Sequence, residues 1–211
     1  MTSLEKEIGT VGFIGRFKPL HKGAALALDL LCEQADWVKI GIGSANKYNL
    51  RNPFTAEETE AMLRTYLSPR HANYEIIHVP DFAQNPEDAN GQRWKEYVVE
   101  HFGKLNYFIS GNPHVQQLLQ DKYPIIHPAS RIPRERWIQL RATEVRVEMA
   151  KGSEQWKDLV PVEVAQYLQE NQLLERFQQE FGEATLRDAS SATQYRRTEK
   201  KEEESRHARE K

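Results

Sequence analysis

One cysteine in 211 residues, Cys32, excludes a disulfide framework and any site built from several thiolates. Its place in an apolar, helix-periodic stretch makes it a small core residue. Long apolar runs are also missing. No stretch approaches the ~20 residues that a membrane span needs, and Met1 to Gly9 lack the charged start and apolar centre of a signal peptide. The expectation is a soluble, cytoplasmic chain with no membrane partner. Excess charge is scarce as well: 29 Lys and Arg face 31 Asp and Glu, a net charge of −2. That balance argues against a nucleic-acid partner, so any anion must be gathered by a local cluster. Carboxylates and histidines with cage spacing are lacking too, and no protein-bound metal is expected.

What the chain does have is alternation of short apolar runs with helix-periodic stretches. The first such unit is Thr10 to Ala24, TVGFIGRFKPLHKGA. An apolar run (Val11, Phe13, Ile14) passes through Gly15-Arg16-Phe17-Lys18-Pro19-Leu20-His21-Lys22-Gly23 into Ala25, Leu26, Leu28, Leu30 and Leu31. This order predicts a buried strand, a basic loop and a helix. The loop then sits over a helix amino end, where free N–H groups and the helix dipole favour an anion. Arg16, Lys18, His21 and Lys22 add cations there. Either a phosphate site or an ordinary solvated turn would use these residues.

Further strands are expected at Trp37 to Gly43, Tyr74 to Val79, Tyr107 to Ile109 and Pro124 to His127. Between them, a Thr55-x-x-Glu58 capping box starts one helix, and others cover Gln92 to Phe102 and the region of Val115 to Leu119. The pattern predicts an α/β fold: a doubly wound, mainly parallel, Rossmann-like sheet flanked by helices, with a helical C-terminal end and a charged tail. Loops Arg16–Ala24, Ser44–Arg51, Asp81–Trp94 and Ser110–Pro113 should share the carboxyl edge of that sheet, where such folds bind ligands. A basic connection with Arg131, Arg134, Arg136 and Trp137 follows, then a short helix near Thr143 and helices through Val164, Leu168, Leu173, Leu174 and Phe177. We expect one domain over 10–181. The segment 182–211 is expected to be disordered or a frayed helix, because its mixed-charge composition buries too little apolar surface to offset chain entropy.

Gly15-Arg16-Phe17-Lys18-Pro19-Leu20-His21-Lys22-Gly23-Ala24 resembles the GRFQPxHxGH signature of nucleotidyltransferases. Five further blocks resemble the archaeal-type nicotinamide mononucleotide (NMN) adenylyltransferases in that family's order. They are Gly41-Ile42-Gly43-Ser44-Ala45 with Arg51-Asn52-Pro53-Phe54-Thr55; Val79-Pro80-Asp81 with Asn85 and Trp94; Ser110-Gly111-Asn112-Pro113; Thr143-Glu144-Val145-Arg146; and Asp158-Leu159-Val160-Pro161. The resemblance implies transfer of AMP from ATP to NMN, giving NAD and pyrophosphate with Mg²⁺. It implies catalytic roles for His21, Arg16 and Arg146. ATP and its phosphates would be held by Gly15, Arg16, Phe17, Lys18, His21, Gly23, Arg51, Gly111, Asn112, Thr143 and Arg146. NMN would be held by Ser44, Ala45, Asp81 and Trp94. Such transfer needs positioning and charge neutralisation, to which guanidinium groups are suited. Without the resemblance His21 and Asn112 would be turn residues, Asp81 a strand-end cap and Trp94 a core tryptophan.

The chain departs from the signature at Ala24, where the family has a second histidine, at Lys18 for Gln, and at Arg141-Ala142 for Ser-Gly. Thr59 stands near a family arginine. Arg141 or Lys18 is expected to replace part of the lost positive charge. The alternatives are a weakened nucleotide-binding pseudoenzyme or regulator, and a nucleotidyltransferase for another phosphorylated acceptor. The sequence leaves homo-oligomerisation open.

Overall fold

The structure is a computed structural model that describes residues 8–84 and 86–191. Five strands, β1 (Thr10–Gly15), β2 (Trp37–Gly43), β3 (Tyr74–Val79), β4 (Tyr107–Ile109) and β5 (Ile125–Ile126), form one sheet in the order β3-β2-β1-β4-β5. Every pairing is parallel, with Val11 beside Val38 on one side and Tyr107 on the other. The fifth strand is shorter than the expected Pro124 to His127, because an edge strand flanked by proline on each side has few ladder bonds to make. The strand order reverses between β1 and β4, so the loops after these strands flank the switch point.

Helices cover both faces, as parallel crossovers require. Helices α1 (Lys22–Gln34) and α2 (Ala56–Leu67) pack Ala25, Leu28, Leu31, Met62 and Leu63 onto Val11, Val38, Ile40 and Ile42. Helices α3 (Gln92–Phe102) and α4 (Pro113–Leu119) close the other face with Val98, Phe102, Leu119 and the strand residues Val79 and Phe108. Each fully buried Val, Leu, Ile, Met or Phe among them contributes about 1.5–3 kcal/mol. Cys32 is buried in the first of these clusters.

The expected capping box starts α2: the Thr55 side chain accepts from Glu58 N at 3.2 Å and Glu58 Oε2 accepts from Thr55 N at 2.9 Å. Beyond the sheet lie α5 (Ala142–Ala150), α6 (Val162–Glu170) and α7 (Leu173–Phe177), which pack Val145, Met149, Val164, Leu168 and Phe177 into the α1–α2 side of the core. After α7 the chain makes a π-helical turn, Gln178–Gly182, and stays helical over 183–191 with Thr185 buried. The expected tail therefore begins as packed helix, and its remainder, 192–211, lies outside the described residues. Among the described residues no helix is long and apolar enough to cross a membrane.

Candidate active site

The loop from β1 to α1 is shaped by its own side chains. Phe17 takes a positive φ of 52° and turns its ring back over Gly15, where an added Cβ would lie 2.6 Å from the ring. Only glycine leaves room for that fold-back. The Lys18–Pro19 bond is cis, and Leu20 is fully buried, which pins the turn to the core. His21 is the N-cap of α1, its Nδ1 accepting from Ala24 N at 3.2 Å. Burial holds His21 down to about 4, so the ring is neutral near pH 7. With Nδ1 accepting, the proton must sit on Nε2, which is then a free donor.

A cavity of about 550 Å³ opens beside this loop. Gly15, Arg16, Phe17, His21, Gly23 and Ala24 form one wall, and Thr143 and Arg146 of α5 form another. Arg146 is buried, with Nη1 donating to Lys18 O at 2.8 Å and Nη2 to Thr143 Oγ1 at 3.2 Å. Burial, together with the nearby Arg16 cation, lowers Arg146 to about 10. Among the described ion pairs neither Arg16 nor Arg146 has a carboxylate partner. A desolvated guanidinium held by two neutral acceptors, with a second guanidinium beside it, is an uncompensated positive site.

The third wall was not foreseen. Pro128, Ile132, Trp137, Ile138, Leu140 and Arg141 come from the irregular connection after β5. In sequence this connection stands out for its basic residues, but it is chiefly the apolar ones that line the cavity. Trp137 and Ile138 are 38% and 43% exposed in a stretch with almost no regular structure, and they give the cavity an apolar wall. Gly23 allows the approach, since a Cβ at that position would lie 2.9 Å from Ile138 O.

A second cavity, about 250 Å³, lies at the ends of β2 and β3. Ser44, with φ of 54°, lines it together with Asp81, Phe82, Asp88, Trp94 and Leu118. Asp81 Oδ1 accepts from Ala83 N at 2.9 Å, while its backbone N and O bond the Asn46 side chain at 2.8 and 3.0 Å. Asn85 lies outside the described residues.

Several expected site residues stand apart from these cavities. Arg51 is an exposed turn residue and does not line the cavity that holds Arg16 and Arg146, contrary to the expectation of three converging arginines. It sits on a long connection whose backbone, not its strand, sets its place: Arg51 N donates to Asn49 Oδ1 at 3.0 Å. Gly111 and Asn112 follow β4 without lining either cavity, and Asn112 caps α4 by accepting from His114 N at 3.0 Å. Ala45 serves through its backbone, donating to Val79 O at 3.0 Å. Thr59 is fully buried, its hydroxyl donating to Thr55 O at 2.7 Å, so the side chain points into the α2 turn rather than toward phosphate.

Lys18 is fully buried and lines neither cavity; its Nζ donates to Ser44 O at 3.3 Å. Of the two residues expected to make up for Ala24, only Arg141 borders the first cavity. Burial, and then Arg16, lower Lys18 from 10.5 to about 8, against raising contributions from Glu57 and Glu58. Below pH 8 the ammonium is charged in both folded and unfolded chains, and its burial penalty is present in full. Between pH 8 and 10.5 folding releases the proton and the penalty fades. Lys18→Met should therefore be more stable than the parent at pH 7, with the difference shrinking toward pH 10.5. Denaturant midpoints at pH 7, 9 and 10.5 check this, and a difference independent of pH would contradict it.

No model of a protein family matches the chain. Among curated proteins, the nicotinamide-nucleotide adenylyltransferase of Pyrococcus furiosus is 37% identical over 170 residues, covering 78% of this chain and 85% of the relative. That of Thermococcus kodakarensis is 37% identical over 169 residues, with 78% and 84% covered, and that of Methanocorpusculum labreanum 32% over 169 residues, with 79% and 94% covered. Among solved structures, a bifunctional NMN adenylyltransferase/ADP ribose pyrophosphatase of Francisella tularensis, complexed with AMP and a Mn ion, gives a TM-score of 0.60 at 18% identity. The match takes in 92% of this chain but only 56% of that one, and it bears on the fold alone. The ordered sequence blocks, the parallel sheet with its cavity lined by Arg16 and Arg146, and curated relatives above 30% identity over most of both chains agree: the chain belongs to the nicotinamide-nucleotide adenylyltransferase family.

Proposed function

We propose that the chain transfers AMP from ATP to NMN, with the triphosphate in the first cavity and the nicotinamide end of NMN in the second. The observation that carries this reading is Arg146, a buried guanidinium on the cavity wall with no carboxylate partner among the described ion pairs. A phosphate oxygen of NMN attacks the α-phosphorus of ATP, the bond from that phosphorus to the bridging oxygen breaks, and pyrophosphate leaves. Little covalent help is needed; the protein's task is to align the phosphates and to stabilise charge that builds on their oxygens. Arg146 and Arg16 supply the fixed cations. The Nε2–H of His21 donates to a phosphate oxygen without giving up its proton, consistent with a ring held neutral. Trp137, Ile138 and Leu140 give the adenine an apolar wall. Trp94 offers the nicotinamide ring a stacking face, and Ser44 and Asp81 border it.

Mg²⁺ is part of the proposal as the counter-ion of the triphosphate. Among the described residues no three His, Cys, Asp or Glu side chains could hold a metal ion together, so its ligands would be phosphate and water oxygens, which the ion prefers. ATP and NMN are the proposed partners, in the cytoplasm and without nucleic acid.

Incubation with ATP, Mg²⁺ and NMN should yield NAD. Ala24 favours a second reading, a protein that binds nucleotide without turnover. NAD binding with no NAD formation, cured by Ala24→His, would establish that reading instead. Turnover only with another phosphorylated acceptor would overturn the NMN assignment.

A further inference from the structure

The connection between β2 and α2, residues 44–55, carries Ser44 at the second cavity and the exposed Arg51. Its own bonds are local: Asn49 and Asn52 exchange backbone bonds at 3.1 and 2.7 Å, and Lys47 N donates to Ser44 O at 3.1 Å. Its first residues are tied to the sheet end, Ser44 O by Lys18 Nζ, Ala45 N by Val79 O and the Asn46 side chain by the Asp81 backbone, while its later part, from Tyr48 to Phe54, is held from the far end of the chain. Arg176 of α7 grips Glu58 with both terminal nitrogens, at 2.5 and 2.7 Å, and Nη2 also donates to Pro53 O at 3.4 Å. Its guanidinium lies 5.6 Å from the centre of the Tyr48 ring. In the π-helical turn that follows, Glu180 Oε2 accepts from Tyr48 OH at 2.5 Å and Phe181 meets the Tyr48 ring edge-on at 5.3 Å. Phe54 rests on Phe177, with ring centres 6.2 Å apart.

Taken singly, a surface ion pair of this kind would contribute little. Here a two-pronged guanidinium–carboxylate pair, a cation–π contact and an aromatic pair converge on one connection, and the anchoring turn is itself a π-bulge, a geometry seldom kept without a reason. Tyr48 is 46% exposed, and an aromatic so placed adds little to the core. Its partners, not its burial, explain its orientation.

We propose that Arg176 and Glu180 are positioning residues: through Tyr48, Glu58 and the Pro53 carbonyl they fix the 44–55 connection in the shape that presents Ser44 to NMN at the second cavity. This rests on the adenylyl-transfer reading. A loosened connection would have to be ordered by the substrates, at a cost in binding rather than in the chemical step.

The test uses the full chain with Tyr48→Phe and Arg176→Met, beside Arg70→Met, which breaks a comparable ion pair to Glu163 whose residues line neither cavity. Tyr48→Phe removes one hydroxyl from a half-exposed ring and leaves the core untouched, so it remains informative even if Arg176→Met folds poorly. Amide hydrogen exchange within 45–53 should quicken in both clamp variants and not in Arg70→Met. The KM for NMN should rise about tenfold, with kcat and the KM for ATP within about twofold. Arg176→Lys, which keeps the charge and loses the paired grip, should fall between. Unchanged exchange in 45–53, or faster exchange with unchanged KM, overturns the proposal. A parent chain that makes no NAD would sink the adenylyl-transfer reading instead, and the exchange data would still report on the clamp.

Discussion

Arg146→Met should lower kcat/KM for NAD formation by about 10²–10³ while leaving the fold nearly as stable as before. The kinetic loss is that expected when one preorganised donor to a developing oxyanion is removed. The stability result follows from two opposing effects. Burial, with Arg16 nearby, already pulls Arg146 down to about 10, which marks a charge held where water cannot solvate it well. Replacing such a group by an apolar side chain of similar length is often neutral or stabilising. Against that, Lys18 O and Thr143 Oγ1 lose their donor, and an unsatisfied buried acceptor costs about 1–3 kcal/mol. The two nearly cancel, so the change in stability should stay within about 1–2 kcal/mol. ATP should raise the melting temperature of the parent and fail to do so for the variant. Activity within tenfold of the parent, or global unfolding at 25 °C, would contradict the assignment of Arg146 as a ligand-facing cation. Arg146→Lys should recover only part of the loss, since an ammonium lacks the planar pair of donors that now reaches both Lys18 O and Thr143 Oγ1.

These expectations draw on features that differ in how far the chain alone discloses them. The strands β2, β3 and β4 are legible because each is a short apolar run bounded by turn residues. The start of α2 is legible because a capping box is a local device with both partners within four residues. Arg16, His21 and Arg146 could be tied to one cavity only through ordered motifs, since the contact from Arg146 to Lys18 O spans 128 positions. Convergence of Arg51 was expected on the same grounds and is not found, because nothing local specifies how a connection of that length folds over. The apolar wall from Trp137 to Leu140 is not legible in the sequence for a related reason: without periodicity, apolar residues in a loop give no hint of which surface they face. The clamp from Arg176 onto Glu58 and from Glu180 onto Tyr48 is likewise a long-range matter, joining positions 118 and 132 apart.

Ala24→His should raise the rate, by as much as ~10² if the restored imidazole reaches the phosphates. Ala24 borders the first cavity next to Arg16 and His21, and its own N–H already fixes the His21 ring from behind. A side chain added at 24 therefore enters the cavity from the same helix end as His21, where the free N–H groups and the dipole also favour a phosphate. Arg141, the N-cap of α5, lines the same cavity and would be the cation to make up for the absent donor. The two ideas are tested together by a double-mutant cycle. If Arg141 compensates, Arg141→Ala should cost about tenfold in kcat beside Ala24 and much less beside His at that position, because groups that serve one charge are not additive. Equal losses in both backgrounds would show that Arg141 acts independently of the missing histidine. A parent chain already as fast as Ala24→His would mean that the buried Arg146, the adjacent Arg16 and the neutral His21 suffice, and that the second histidine adds nothing in this cavity.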